Sequence, residues 1–252
     1  MKSITYSFLA LIFLSIVSCG ESVDHPVESK GPRNLDSLLL KSPNNIDLLV
    51  ERGNKLFKEY EYDLALNDAA KAFRLDSNNF EARLLYAEVL NNREMRTVED
   101  VQIAQNHYKW TLKKEPKNLR ALIGLAATYN YQQDFENTFK YINKALRIDK
   151  KYRDAYVLKG TTYRQIGNME LAKSSYETAI QQDPKFFEAY FLLGTIYQSE
   201  GNPLCIEYFA TALDLRPDIL EVKYQLAYSK ENFGQLESAK ELYREMAADT
   251  VA

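Results

Sequence analysis

The chain has 252 residues, 46% apolar and 27% charged, so it can bury a substantial core and is not compositionally disordered. Its formal net charge of -3 excludes both a global basic field that would attract nucleic acid and an acidic solvating tail. Nine glycines and seven prolines, set against abundant Leu, Ala, Lys, Glu and Tyr, predict a nearly all-helical protein rather than a turn-rich sheet fold.

At the N-terminus one cation, Lys2, precedes the apolar run FLALIFLSIV from Phe8 to Val17, which is the layout of a signal peptide. The run is about half of the roughly 20 apolar residues that a helix needs to cross a bilayer, so a retained transmembrane anchor is the weaker alternative. Ordinary secretory cleavage after Ser18 would place Ile16 at a site that favours a small residue. The tetrad Ile16-Val17-Ser18-Cys19 resembles the bacterial lipobox, in which an aliphatic residue stands three before a lipidated cysteine. That resemblance implies a signal peptide over 1–18 and acylation at Cys19, with several acyl chains giving a stable anchor. It also implies a lipoprotein of the cell envelope, facing the periplasm or the exterior. Gly20 in place of an aspartate favours the outer membrane. Residues 19–34, GESVDHPVESKGPRN after the cysteine, read as a flexible tether holding the folded part on the order of 20 Å from the membrane.

The folded part is expected over 35–252. Leu38, Leu39 and Pro43 read as the second half of an incomplete repeat, a helix covering the first hairpin. From there the sequence repeats with a period of about 34 residues, the signature of one helical hairpin per repeat. The period is clearest from Leu119, from Arg153 and from Phe187. In the segment from Arg153, Tyr156, Gly160, Tyr163, Ala172, Tyr176, Ala179 and Pro184 fall at positions 4, 8, 11, 20, 24, 27 and 32. These segments resemble the tetratricopeptide repeat, whose pattern has aromatic, small and Pro residues at those positions. The resemblance implies an all-α, right-handed solenoid of six repeats: 46–79, 80–118, 119–152, 153–186, 187–219 and 220–252.

Position 8 reads Gly53, Ala87, Ala126, Gly160, Gly194 and Ala227, all small. A helix-interior glycine costs about 1 kcal/mol relative to alanine, so its recurrence predicts a close helix crossing. Position 20 reads Ala65, Ala104, Thr138, Ala172, Cys205 and Ala239, and is expected to face position 8, which makes Cys205 a small buried hydrophobe. Between Ala87 and Ala104 the second repeat holds five extra residues, which must bulge or lengthen a helix. Ser77 and Lys150 stand where the closing proline is expected, leaving those two turns less defined. No capping helix is expected after the repeat 220–252.

No catalytic constellation is present. His25 lies in the tether and His107 on a second helix, the chain has no Gly-rich phosphate loop or HExxH, and no metal or cofactor is expected. What the resemblance implies instead is a concave wall built from the first helix of each repeat. Its residues at positions 5, 9, 12 and 13 would be Val50, Asn54, Leu84, Ile123, Asn130, Tyr131, Val157, Thr161, Arg164, Phe191, Thr195, Tyr224 and Tyr228. Apolar ridges flanked by amides and hydroxyls suit a polypeptide. Position 5 is also where neighbouring first helices would pack, with Phe191 and Tyr224 the strongest candidates for exposed contacts. The acidic row Asp47, Glu81, Asp154, Glu188 and Glu221 complements helix dipoles, and only Arg120 interrupts it, which argues against a carboxylate clamp. The expected function is a membrane-anchored scaffold that binds a protein or peptide partner of the envelope, not nucleic acid. The alternative is an envelope carrier capturing a glycan or peptide.

Overall fold

The computed structural model describes residues 33–249. The signal-peptide, Cys19 and most of the tether readings lie outside the described residues. Among those described there are thirteen α-helices: α1 Arg33–Lys41, α2 Ile46–Lys58, α3 Tyr62–Leu75, α4 Phe80–Asn92, α5 Val98–Lys114, α6 Leu119–Tyr131 and α7 Phe135–Ile148. The series continues with α8 Arg153–Ile166, α9 Met169–Gln182, α10 Phe187–Ser199, α11 Leu204–Leu215, α12 Leu220–Asn232 and α13 Leu236–Asp249. Six hairpins run from α2–α3 to α12–α13, and α1 precedes them, with Leu39 buried beside Leu49, Ala72 and Ala82.

Several helices start where the sequence supplies an acceptor for the orphan amides of the first turn. Asn45, Asn79 and Asn118 cap α2, α4 and α6 through Oδ1, which accepts from the backbone N–H three residues on. The turns between repeats do not depend on proline. Asp76 and Asp149 accept from Asn78 and Lys151 with the same 2.8 Å geometry, closing the turns at Ser77 and Lys150 much as Asp183 does beside Pro184 at 3.0 Å. The insertion in the second repeat lengthens a helix. Thr97 and Asp100 form a reciprocal capping box that starts the 17-residue α5, and Arg93 holds Asp100 at 2.5 Å.

Each second helix but the last, α13, packs between two first helices, its own and that of the next repeat, as α5 does between α4 and α6. First helices touch their successors directly, α2 with α4, α4 with α6 and α6 with α8, so the stack is narrower on the first-helix side and curves toward it. Within the hairpins, close approach of the two helices rests on position 8. All six small residues there are buried, as are all six at position 20, Cys205 included. At Gly53 the tight contact is with Leu85 of the next repeat, whereas at Gly160 and Gly194 it is made with position 24. A Cβ at Gly160 would lie 2.5 Å from the ring of Tyr176, and one at Gly194 2.6 Å from Phe209. Gly124, which the period does not mark, plays the same part toward Tyr108 of the preceding repeat, whose ring occupies the place a Cβ would take.

Candidate functional site

The first-helix wall begins with ion pairs that tie it to itself. Arg52 of α2 bonds both oxygens of Asp68 at 2.7 Å and also reaches Asp36 at 2.5 Å, joining α1, α2 and α3. Arg120 of α6 bonds both oxygens of Glu88 and one of Glu81 in α4, which consumes the single cation in the acidic row and stitches two repeats together. Strong hydrogen bonds to Asp68 and Asp36 raise the Arg52 pKa, and those to Glu88 and Glu81 outweigh burial to raise that of Arg120. Both guanidiniums stay charged and occupied, so no carboxylate clamp is available at Arg120.

The expected wall residues divide by exposure. Leu84 is 1% exposed within the core cluster of Ala87, Ala104 and Tyr108, and Asn130 is 6% exposed, so both are corrections: they are interior, not wall. Val50, Ile123 and Val157 are half-buried in the packing between repeats. Phe191 is half-buried too, its ring 5.7 Å from Phe209, and is a packing residue rather than an open contact. The polar members bond within the chain. Asn54 donates to the Val50 carbonyl at 2.9 Å, Thr195 to the Leu192 carbonyl at 2.7 Å, and the Thr161 hydroxyl meets that of Tyr176 at 3.1 Å. Arg164 is half-buried.

Three tyrosines remain exposed. Tyr131 is 38% exposed, and its ring lies 4.8 Å under the Arg96 guanidinium, which the insertion before α5 delivers. Tyr224 and Tyr228, 43% and 42% exposed, stack one turn apart on α12 with centroids 6.3 Å apart and planes 9° from parallel. Tyr243 of α13 lies beside Tyr224 at 6.3 Å. Two surface hollows of about 420 and 260 Å³ are lined from the α5–α6 turn, α5, α6 and α7, and contain none of these tyrosines.

One residue on this side has no counterpart in the sequence reading. Tyr60, in the α2–α3 turn, donates to Glu188 at the start of α10, and Arg216 after α11 lies 5.7 Å from its ring. Its register explains it. Tyr60 occupies the left-handed turn position, φ 62°, that Gly167, Gly201 and Gly234 fill in later repeats. A bulky aromatic there is strained, so the turn holds Tyr60 in place against its own backbone preference. Burial raises the pKa of both the Tyr60 phenol and the Glu188 carboxyl, which keeps the phenol protonated as the donor.

A family model described as TPR repeat matches residues 160–201, from the middle of α8 to the turn after α10. A solved structure of a thermophilic TPR protein from Thermus thermophilus superposes with a TM-score of 0.64, covering 73% of this chain and 98% of that one at 20% identity. The chain has the tetratricopeptide-repeat fold. Two structures of the MamA protein, each 22% identical, cover 65% and 66% of this chain and 90% and 94% of theirs, with TM-scores of 0.48 and 0.44. No curated protein sequence matches the chain. A tetratricopeptide-repeat solenoid is a scaffold for protein–protein contact, and such scaffolds are generally non-enzymatic. Among the described residues no cluster of three or more His, Cys, Asp or Glu could hold a metal ion, and no helix is long and apolar enough to cross a membrane.

Proposed function

We propose that this solenoid is a lipid-anchored scaffold of the bacterial cell envelope, in the outer membrane, that holds a polypeptide partner on its first-helix wall at the C-terminal end. The observation that carries the binding half is the stacked Tyr224–Tyr228 pair, two large, stiff, amphipathic rings left open on α12 and outside either hollow. Such rings supply contact area at low entropic cost, and an open surface suits an extended chain better than a small ligand, which needs enclosure. The anchoring half rests on the tetrad ending at Cys19 and on the apolar run before it.

The test uses the full-length chain in its native host. Affinity purification recovers a specific envelope polypeptide with the parent chain and loses it with Tyr224→Ala/Tyr228→Ala, while Cys19→Ala moves the chain from the membrane to the soluble fraction. Equal recovery with the double variant contradicts the binding half, and unchanged fractionation of Cys19→Ala contradicts the anchoring half. Recovery of a glycan in place of a polypeptide would move the reading to a carrier.

A further inference from the structure

The opposite side of the solenoid, made by the second helices, carries a charged feature that the first-helix wall does not explain. The 260 Å³ hollow lies between α5 and α7, with Lys109, Lys113 and Lys144 on its rim. Leu122 and Leu125 of α6, both buried, form its floor together with Leu112 and Tyr141. Tyr141 stacks on Tyr129 with centroids 5.7 Å apart and planes 11° from parallel. Lysine ammoniums surround this pair: Lys144 and Lys140 lie 4.8 and 5.9 Å from the Tyr141 centroid, and Lys109 lies 5.6 Å from that of Tyr129.

The lysines are two pairs one helical turn apart, Lys109 with Lys113 and Lys140 with Lys144, on two neighbouring second helices. Like charges at that spacing weaken a helix. Several other cations are neutralised, as Arg52, Arg93, Arg120, Arg153, Lys173 and Arg216 pair with carboxylates. Here Lys113, Lys140 and Lys144 form no ion pair among the described residues, and Lys109 donates only to the amide oxygen of Gln105. Glu115, which follows α5, is engaged by Asn118 instead. In a chain with 35 acids and 32 Lys and Arg, three lysines without a carboxylate partner, Lys109, Lys113 and Lys144, line one apolar slot and make its local field positive.

We infer that the slot between α5 and α7 docks an acidic polypeptide segment, one apolar side chain entering over Leu122 and Leu125 while flanking carboxylates meet Lys109, Lys113 and Lys144. Charge complementarity selects the acid, and the recessed apolar floor selects a polypeptide over a flat anionic membrane. The slot lies on second helices and Tyr224 and Tyr228 on a first helix, so the solenoid can hold this segment and a first-helix partner together.

The test measures fluorescence anisotropy of a labelled synthetic peptide, glutamates flanking a single leucine, titrated with the full chain. Saturable binding is expected, weakened about tenfold by Lys113→Glu/Lys144→Glu, weakened by added salt, and unchanged by Tyr224→Ala. Far-UV circular dichroism checks the fold of the variant, and Lys113→Ala/Lys144→Ala decides if charge reversal disturbs it. Equal binding of the same peptide with glutamine in place of glutamate, or binding unaffected by the lysine variants, overturns the inference. Binding of phosphatidylglycerol vesicles at the slot without binding of the peptide overturns it too, in favour of a membrane surface.

Discussion

The Tyr60 hydroxyl donates to Glu188 Oε1 at 3.2 Å although 128 residues separate the two. Repeats one to five pack in succession, so this contact brings the turn edge of the first repeat onto the opposite edge of the fifth and closes the curve. The wall up to α10 is thereby restrained, and α12 beyond it is left open. Replacing Tyr60 with Phe removes the hydrogen bond but keeps the ring under Arg216. It should cost about 0.5–1.5 kcal/mol in urea denaturation and raise the radius of gyration measured by X-ray scattering. The double variant Tyr60→Phe/Glu188→Gln should lose less than the two singles summed. Additive losses with no change in radius would show that the contact does not hold the closure.

The glycines at position 8 make an unusual prediction, because alanine is the better helix former by about 1 kcal/mol. Gly160→Ala and Gly194→Ala should nonetheless destabilise by about 1–3 kcal/mol, since the new methyl must displace the Tyr176 or Phe209 ring. Combining Gly160→Ala with Tyr176→Leu should lose less than the two changes summed. Urea midpoints measure both.

Tyr108 presents the opposite case. It is fully buried, its hydroxyl has no hydrogen-bond partner among the described residues, and burial raises its pKa well above the ordinary phenol value. Tyr108→Phe removes an unsatisfied polar atom while leaving the ring against Gly124, and should stabilise by about 1 kcal/mol in thermal or urea denaturation.

His107 sets a pH dependence. Its ring packs on Phe73 at 4.8 Å, its Nδ1 lies 2.9 Å from the Arg83 guanidinium, and burial with that positive neighbour lowers its pKa from 6.5 to about 4. The unfolded chain therefore binds more protons than the folded one between those values, and stability falls as pH drops from 6.5 toward 4. Allowing for the ring's partial solvation, the loss is on the order of 1–2 kcal/mol. Urea midpoints at neutral and mildly acidic pH should differ accordingly, and His107→Leu should reduce the difference.

Much of this architecture is legible in the sequence because a repeat reports each position several times. The small residues from Gly53 to Ala227 announce the helix crossings, and Cys205 reads as packing from its register alone. The partner of Gly160 and Gly194 is not so announced, because the rings of Tyr176 and Phe209 one turn beyond position 20 reach back to them. Wall exposure is less legible. Leu84, Asn130 and Phe191 hold the same register positions as exposed neighbours, but how far each helix is covered depends on crossing angles that a linear period does not carry. Tyr60 leaves a trace, since an aromatic at a turn position filled by glycine in three later repeats departs from the local backbone rule. Its distant partner leaves none, because contact across the curve depends on the summed geometry of five repeats.

The most direct measurement is photo-crosslinking in the native host from an unnatural amino acid placed at Tyr224 or Tyr228, with the half-buried Val157 of α8 as the comparison site. One envelope polypeptide captured from both tyrosine positions and not from Val157 is the expected result. Capture from Val157 alone, or no polypeptide from either tyrosine position, would contradict a partner held on the open wall of α12.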